Sequence, residues 1–176
     1  MPVIRSFPPI ADASARVLIL GSMPGKESLR AKQYYAHPRN SFWKLMGEFF
    51  NAGIELPYDR RTQQLKKTGV ALWDVLACCA REGSLDSAID DTSITANDFP
   101  RFFSAYPRIT HVFFNGTTAE RCFRVHVQPR LDMPALQLAR LPSTSPAHAA
   151  RSYAQKRAAW AVVAKYAKTV RPKNNK

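Results

Sequence analysis

Four aromatic rings and one amide lie within ten residues of one another in segment 34–43. Asn40 stands directly before a predicted helix, and Phe42 and Trp43 follow it. An aromatic face stacks on a flat ligand, and an amide offers both a donor and an acceptor to the same ligand. The alternative is structural, with Asn40 or Ser41 capping the helix while Phe42 and Trp43 pack in the core.

Small and polar residues also follow each of four apolar runs that we predict to be strands. Residues 21–25 (Gly-Ser-Met-Pro-Gly) follow the first run, Asp74 the second, 115–118 (Asn-Gly-Thr-Thr) the third, and 142–148 the fourth. Ligands of open α/β sheets bind beyond the carboxyl ends of the strands. We therefore expect these four exits to line one rim.

The first of these exits has a composition that suits close approach of a ligand to the backbone, because Gly21 and Gly25 flank it. Lys26 follows Gly25 without the frame of a Walker A loop, and the segment is not a dinucleotide-binding fingerprint either. A tight strand-to-helix turn remains the alternative explanation.

Asp74 is the one carboxylate directly at a strand exit, and it could serve as a general base. The alternative is that Asp74 caps a helix predicted over 74–81. These two interpretations predict different pH profiles, because a catalytic carboxylate titrates and an amide does not.

The strands that must position these residues are predicted at 16–20, 70–73, 111–114 and 136–141. The first three are nearly continuous apolar runs, which is typical of parallel strands covered on both faces. Gln137 and Arg140 place the fourth strand at an edge of the sheet.

Helices are predicted between the strands, over 41–50, 97–106, 117–125 and about 149–169. Strands that alternate with helices form right-handed crossovers and a parallel sheet. The sequence therefore predicts an α/β fold, a three-layer α/β/α sandwich around a short, mainly parallel four-stranded sheet. We expect one domain over 1–170 and a flexible basic tail over 171–176.

The charge of the chain points to a polyanionic partner. Its 26 Lys and Arg residues against 13 Asp and Glu residues give a net charge of +13, and 45% of the residues are hydrophobic. A stand-alone enzyme of small neutral metabolites does not need this excess, whereas nucleic acid neutralises it. Residues 133–176 carry nine basic and no acidic residues, so this part forms a positive surface or a solvated helix face.

The cysteines and the N-terminus favour a cytoplasmic protein without a metal centre. Cys78, Cys79 and Cys122 are odd in number and lack metal-ligand spacing, so we expect neither disulfides nor a zinc or iron–sulfur site. Arg5, Pro8 and Asp12 interrupt any apolar leader or membrane-spanning run near the N-terminus.

Three stretches resemble motifs of the uracil-DNA glycosylase superfamily, and the resemblance covers about 17–160. They are 21–25 with Ser28, then His-Pro-Arg-Asn-Ser-Phe-Trp at 37–43, and Leu-Pro-Ser-Thr-Ser-Pro-Ala-His at 141–148. The string at 37–43 is the most specific of them and is similar to the hypoxanthine-DNA glycosylase branch (family 6, DNA-deoxyinosine glycosylase). The superfamily's fold agrees with the sandwich predicted above.

The resemblance implies roles for individual residues. In the hypoxanthine branch the Asn of H-P-R-N is catalytic, which is Asn40 here, and the position of Asn115 is also required. The mismatch-specific branch has a water-positioning Asn in its first loop where this chain has Met23, so loop 21–25 has lost that role. Loop 143–148 corresponds to the motif that presses into the DNA minor groove.

Together these observations give a set of expected site residues. We expect Asn40 to hold the attacking water and face the sugar cation, and Asn115 with backbone N–H groups of 21–25 to bind the base. The expected base-binding residues are Gly21, Ser22, Met23 and Phe42, with Phe42 stacking on the base. The expected DNA contacts are Arg39, Ser143, Ser145, His148 and Arg151, and His37 is an alternative phosphate or base donor.

The function predicted from the sequence is that of a monofunctional DNA glycosylase that flips out a deaminated base, with hypoxanthine favoured. It needs no metal or cofactor, acts as a monomer on double-stranded DNA, and leaves an abasic site. No lysine lies in the motifs as a nucleophile, although Lys26 and Lys32 lie nearby. The alternatives are a uracil, xanthine or mismatch-specific glycosylase and a non-enzymatic nucleic-acid-binding module.

Overall fold

The computed structural model describes residues 1–167 and contains seven strands and six α-helices in that range. The strands are β1 (Val3–Arg5), β2 (Val17–Gly21), β3 (Val70–Asp74), β4 (Leu76–Ala80), β5 (Thr95–Ala96), β6 (His111–Asn115) and β7 (Gln137–Leu141). The helices are α1 (Lys26–Ala31), α2 (Phe42–Phe50), α3 (Tyr58–Lys67), α4 (Phe99–Ala105), α5 (Thr117–His126) and α6 (Tyr153–Ala167).

The central sheet has four parallel strands in the order β3-β2-β6-β7. Every residue of β2 and β3 is buried, as continuous apolar runs require when both faces of a sheet are covered. Strand β7 lies at the edge and is mostly accessible. These observations confirm the predicted parallel sheet and the edge position of its fourth strand.

Two hydrophobic clusters fill the space on either side of this sheet. Leu18 and Leu20 of β2 pack in one cluster with residues of α4 and α5, such as Phe99 and Phe123. Val17 and Ile19 point the other way, into a cluster with residues of α2, α3 and α6. The alternation along β2 places helices on both faces, so the predicted three-layer α/β/α sandwich is confirmed.

A second, smaller sheet was not predicted. Strands β1, β4 and β5 form it in antiparallel order β1-β4-β5. The helix predicted over 74–81 is therefore wrong, because residues Leu76–Ala80 extend to pair with Val3–Arg5. Asp74 ends strand β3 and caps no helix.

The other predicted helices form with small changes at their ends. Helix α2 begins at Phe42 and ends where Asn51 adopts a left-handed conformation. Asp98 caps α4, whose first turn contains Pro100. Helix α6 begins at Tyr153, four residues later than predicted, while its predicted end at 169 and the tail at 171–176 lie outside the described residues. Within 1–167 no helix combines the length and apolar character needed to cross a membrane.

Candidate active site

A cavity of about 600 Å³ opens at the carboxyl end of the central sheet. All four strand exits contribute to its wall: the 21–25 loop, Asp74, the 115–118 segment and the 143–148 loop. The convergence predicted from the sequence is therefore present. Segment 34–43 joins the same wall through Tyr35, His37, Arg39 and Asn40.

Gly21 forms the floor of the cavity between two polar side chains. A β-carbon at this position would lie 2.6 Å from Asp74 Oδ1 and 2.8 Å from the Tyr35 hydroxyl, so only glycine fits here. Ser22 and Met23 continue the wall and are almost fully buried. These three residues occupy the positions expected of base-binding residues.

Asp74 is the buried carboxylate of the site, with 3% of its surface exposed. Burial and, to a smaller extent, the charge of Asp86 raise the pKa of Asp74 to about 7, although the charge of Arg81 opposes this shift. Oδ2 of Asp74 has no hydrogen-bond partner within residues 1–167. A carboxylate in this state can accept a proton or a hydrogen bond from a ligand.

Tyr35 is a site residue that sequence reasoning missed. Its backbone has a positive φ of 53°, which turns the side chain over the floor of the cavity. Its hydroxyl is buried with no hydrogen-bond partner among the described residues. Burial and the Asp74 charge raise the pKa of Tyr35, so the hydroxyl keeps its proton as a donor.

Phe42 does not face the cavity, and the prediction that it stacks on a base is wrong. Its ring is fully buried and packs edge-on against Trp43 and Trp160. One face stacks on Tyr35 with ring centroids 4.1 Å apart. Phe42 is the first residue of α2, whose apolar side faces the core, and so it supports Tyr35 from behind.

Asn40 lies in the cavity wall and also binds the first backbone N–H of helix α2 from the position before the N-cap residue Ser41. Its Oδ1 accepts a hydrogen bond from the Phe42 backbone N–H at 3.0 Å. The capping interpretation and the ligand-binding interpretation are thus compatible, because this bond uses one of the four hydrogen-bonding positions of the amide.

Asn115 lies across the cavity at the end of β6 and is bound to the loop after β7. Its Nδ2 donates to Thr144 Oγ1, and its Oδ1 accepts from the Thr144 backbone N–H, both at 2.9 Å. Thr144 is itself buried. Asn115 therefore holds the 143–148 loop against the sheet while it lines the cavity.

A polar network that holds the 21–25 loop is a second feature that the sequence did not reveal. Ser22 donates its hydroxyl hydrogen to the Asp86 carboxylate, with 2.8 Å to each oxygen. The Arg81 side chain is fully buried, donates to the Pro24 backbone oxygen and lies 4.0 Å from Asp86. Burial raises the pKa of Asp86 and lowers that of Arg81, and each charge opposes the shift of the other.

The family model described as the uracil DNA glycosylase superfamily matches residues 8–165. The chain belongs to this superfamily. It is 40% identical to a hypoxanthine DNA glycosylase of Methanosarcina acetivorans over 116 residues, covering 65% of this chain and 72% of the relative. A Methanosarcina barkeri protein of the same name is 40% identical over 113 residues, 64% of this chain and 70% of the relative.

A solved structure gives the same relationship at the level of the fold. The solution NMR structure of a Methanosarcina acetivorans protein, described there as a proposed uracil DNA glycosylase, superposes with a TM-score of 0.77 at 34% identity. The match covers 93% of this chain and 98% of the other.

The mouth of the cavity in this superfamily member is formed by the 143–148 loop and by segment 37–40. The Ser143 and Ser145 hydroxyl oxygens accept bonds from the backbone N–H groups of Ser145 and Ala147, so their own hydrogens remain for a ligand. His148 lines the mouth and Arg39 is exposed beside it. Arg151 is exposed outside the cavity wall, so any DNA contact it makes lies away from the cavity.

Three further basic residues of this glycosylase-superfamily chain have defined places. The His37 Nδ1 accepts a hydrogen bond from the Arg39 backbone N–H at 3.1 Å, which leaves Nε2 for a ligand. Lys26 lies in the cavity wall at the start of α1, whereas Lys32 ends that helix in a left-handed conformation and does not line the cavity.

Proposed function

We propose that this superfamily member is a DNA glycosylase that removes hypoxanthine from DNA by hydrolysing its N-glycosidic bond. The observation that carries the proposal is the convergence of Asn40, Asn115 and Asp74 on one cavity at the carboxyl end of the sheet. The names of the two 40%-identical relatives support the choice of base. The +13 charge of the chain fits a DNA substrate.

The reaction breaks the bond between the sugar C1′ and the base nitrogen, and a water oxygen becomes bonded to C1′. The sugar gains cationic character and the base departs with negative charge, so the site must stabilise both. In our proposal Asn40 orients the water and faces the sugar with its carbonyl oxygen. That oxygen already accepts one bond from Phe42, which fixes its direction before the substrate arrives.

The departing base is held in our proposal by Asn115 and by backbone N–H groups of the 21–25 loop. The network of Ser22, Asp86 and Arg81 supports this assignment, because its bonds to the Ser22 hydroxyl and to the Pro24 backbone oxygen fix the loop. The loss of one such contact that acts in the transition state costs about 10²–10³ in rate.

A general base is the second candidate mechanism for activating the water. Asp74 supports it, because the pKa of this buried carboxyl is raised to about 7, which suits proton abstraction near neutral pH. A carboxylate titrates and an amide does not, so the two mechanisms predict different pH profiles of the cleavage rate.

DNA contacts and a monofunctional reaction complete the proposal. Arg39, Ser143, Ser145 and His148 contact the strand around the extruded nucleotide, and Arg151 contacts a phosphate further out. No lysine forms a covalent intermediate. Borohydride treatment during the reaction should therefore trap no protein–DNA adduct, and an adduct lost in Lys26→Ala would assign a lyase step to Lys26.

The substrate test uses duplex and single-stranded oligonucleotides with one inosine, uracil, xanthine or mismatched base. After incubation with the protein, hot alkali cleaves the strand wherever an abasic site has formed. Cleavage at inosine supports the proposal, and cleavage at another base alone moves the assignment to that base. Binding without cleavage of any substrate supports a non-enzymatic nucleic-acid-binding module. We also propose that the protein acts as a monomer in the cytoplasm, with light scattering as the check on its mass.

A further inference from the structure

Two polar atoms in the floor of the cavity have no hydrogen-bond partner among the described residues: the Tyr35 hydroxyl and Asp74 Oδ2. Both are buried, and both of their residues line the cavity. A buried polar group without a partner costs about 1–3 kcal/mol. Such atoms are rare in folded proteins, and two of them on residues that line one cavity point to a ligand that supplies the missing partners.

The two groups are held in fixed positions around Gly21. Asp74 is the register partner of Gly21 in the parallel pair of β3 and β2. Tyr35 reaches the same point from the other side, with its ring stacked on Phe42 at an interplanar angle of 25°. Because Gly21 has no side chain, Asp74 Oδ1 and the Tyr35 hydroxyl lie 2.6 Å and 2.8 Å from the point where a β-carbon would stand, so both side chains close over the Gly21 backbone.

We propose that Tyr35 and Asp74 together read the lactam edge of the extruded base. In hypoxanthine, N1–H is a donor and the adjacent O6 is an acceptor. The Asp74 carboxylate accepts the N1–H hydrogen, and the Tyr35 hydroxyl donates to O6. This inference rests on the proposed glycosylase function and names the residues that determine which bases the enzyme accepts.

Tyr35 and Asp74 would discriminate between bases by the donors and acceptors on the base edge. Adenine carries an acceptor at N1, which faces the acceptor-only carboxylate of Asp74. The Tyr35 hydroxyl can accept from the adenine amino group, so the rejection of adenine rests on Asp74. Cytosine presents the same reversed pattern. Uracil and xanthine carry an N–H beside a carbonyl, as hypoxanthine does, so the pair recognises deamination products as a class. Guanine shares this edge and differs from hypoxanthine by its 2-amino group, which the cavity wall must exclude.

The bonding of Asn115 favours this assignment over base reading by Asn115 alone. Thr144 takes one N–H and one lone pair of the Asn115 amide, so this side chain keeps one donor and one acceptor position in fixed directions and cannot turn to follow the base edge without releasing the 143–148 loop. Tyr35 and Asp74 Oδ2 have no such bonds to break.

The test is single-turnover cleavage with Tyr35→Phe and Asp74→Asn on two matched oligonucleotides. One contains inosine, and the other contains 2′-deoxynebularine, whose purine base lacks both N1–H and O6. Tyr34→Phe is the matched control, because the Tyr34 hydroxyl already donates to the Pro8 backbone oxygen and is not available to a base. Thermal melting and affinity for abasic-site DNA show that each variant folds and binds.

We expect Tyr35→Phe and Asp74→Asn to lose about 10- to 100-fold on inosine, as removal of a hydrogen bond to a buried partner predicts, and less than about threefold on deoxynebularine. Tyr34→Phe keeps the wild-type rate. Folded variants that stay within threefold of the wild type on inosine, or that lose equally on both substrates, overturn the assignment. If Asp74→Asn alone loses the same factor on inosine and on deoxynebularine, Asp74 acts as a general base and does not read the base. A wild type inactive on inosine, uracil and xanthine overturns the proposed function itself.

Discussion

Asn115 and Thr144 exchange two hydrogen bonds of 2.9 Å, which join the end of β6 to the loop that follows β7. The same loop accepts a bond from the Ser41 backbone N–H through the Thr144 carbonyl oxygen. Thr144 therefore connects the two segments that carry Asn115 and Asn40. The positions of both amides in the cavity depend on this one buried threonine.

The first prediction concerns Asn115. Asn115→Ala removes both bonds to Thr144 and any contact with the base, so we expect cleavage of inosine DNA to fall by about 10²–10³. Asn115→Asp keeps the acceptor for the Thr144 N–H, and the Thr144 hydroxyl can rotate to donate to the new oxygen. If Asn115 acts only through the loop, Asn115→Asp retains most of the rate; if it donates to the base, both variants lose it. Single-turnover rates decide between these roles.

The second prediction separates the two uses of Asn40. A serine hydroxyl accepts the same kind of bond from the backbone N–H two residues further on, so Asn40→Ser should keep the bond to the Phe42 N–H and a stability close to that of the wild type. It removes the amide from the cavity, and we expect the cleavage rate to fall by about 10²–10³. Asn40→Ala should show the same loss of rate and also unfold about 1 kcal/mol more easily in urea. A fully active Asn40→Ser would limit Asn40 to capping.

The third prediction concerns pH. Both roles considered for Asp74 require its ionised form, and burial raises the pKa of Asp74 to about 7. The kcat/KM for inosine DNA should therefore fall about tenfold per pH unit below 7 and level off above it. The charges that act on Asp74 are those of Asp86, which raises its pKa, and Arg81, which lowers it. The charge of Asp74 in turn raises the pKa of the neutral tyrosines 34, 35 and 58. Asp74→Asn should give a lower kcat/KM that does not change with pH. If the kcat/KM of the wild type stays unchanged down to pH 5, the mechanism uses amides alone.

The fourth prediction concerns stability. A raised carboxyl pKa means that folding penalises the ionised form of Asp74, so the free energy of unfolding falls as pH rises from 3.8 to about 7. Asp74→Asn lacks this penalty. At pH 8 the variant should be more stable than the wild type by roughly 2–4 kcal/mol while it is less active. Urea unfolding at pH 5 and pH 8 measures this, and a variant that is less stable at both values contradicts it.

The fifth prediction concerns DNA contacts. Each phosphate neutralised contributes about −0.9 to the slope of log affinity against log salt. Arg39→Gln and Arg151→Gln should each reduce the magnitude of the slope by about 0.9 when binding to abasic-site duplex is measured by anisotropy. Arg60→Gln on α3, exposed and away from the cavity, is the control and should leave the slope unchanged. If the slope is unchanged for Arg39→Gln, the Arg39 side chain does not contact a DNA phosphate.

The central sheet and the position of the cavity could be predicted because they follow from local patterns. Strands β2 and β3 are continuous apolar runs, and in a parallel sheet the residues after such runs must meet at one edge. This pattern predicts Asp74 and Asn115 as site residues, whereas Asn40 is predicted from segment 34–43 and from the resemblance of its H-P-R-N string.

Contacts between distant segments could not be predicted from the same patterns. Leu76–Ala80 became a strand because Val3–Arg5 supplies its partner, and the local composition does not encode that pairing. Phe42 lies on the apolar side of α2, so the core competes for its ring and excludes it from the cavity. Tyr35 depends on an unusual positive φ, and Asp86 reaches Ser22 across 64 residues of sequence.

Chromatographic detection of free hypoxanthine tests the central claim most directly. An inosine-containing duplex is incubated at pH 8 with excess wild-type protein or with excess Asn40→Ser, and the released base is quantified over time. We predict stoichiometric release by the wild type and a rate lower by about 10²–10³ for the variant. No release by the folded wild type, or equal release by a folded Asn40→Ser, would contradict the proposed chemistry.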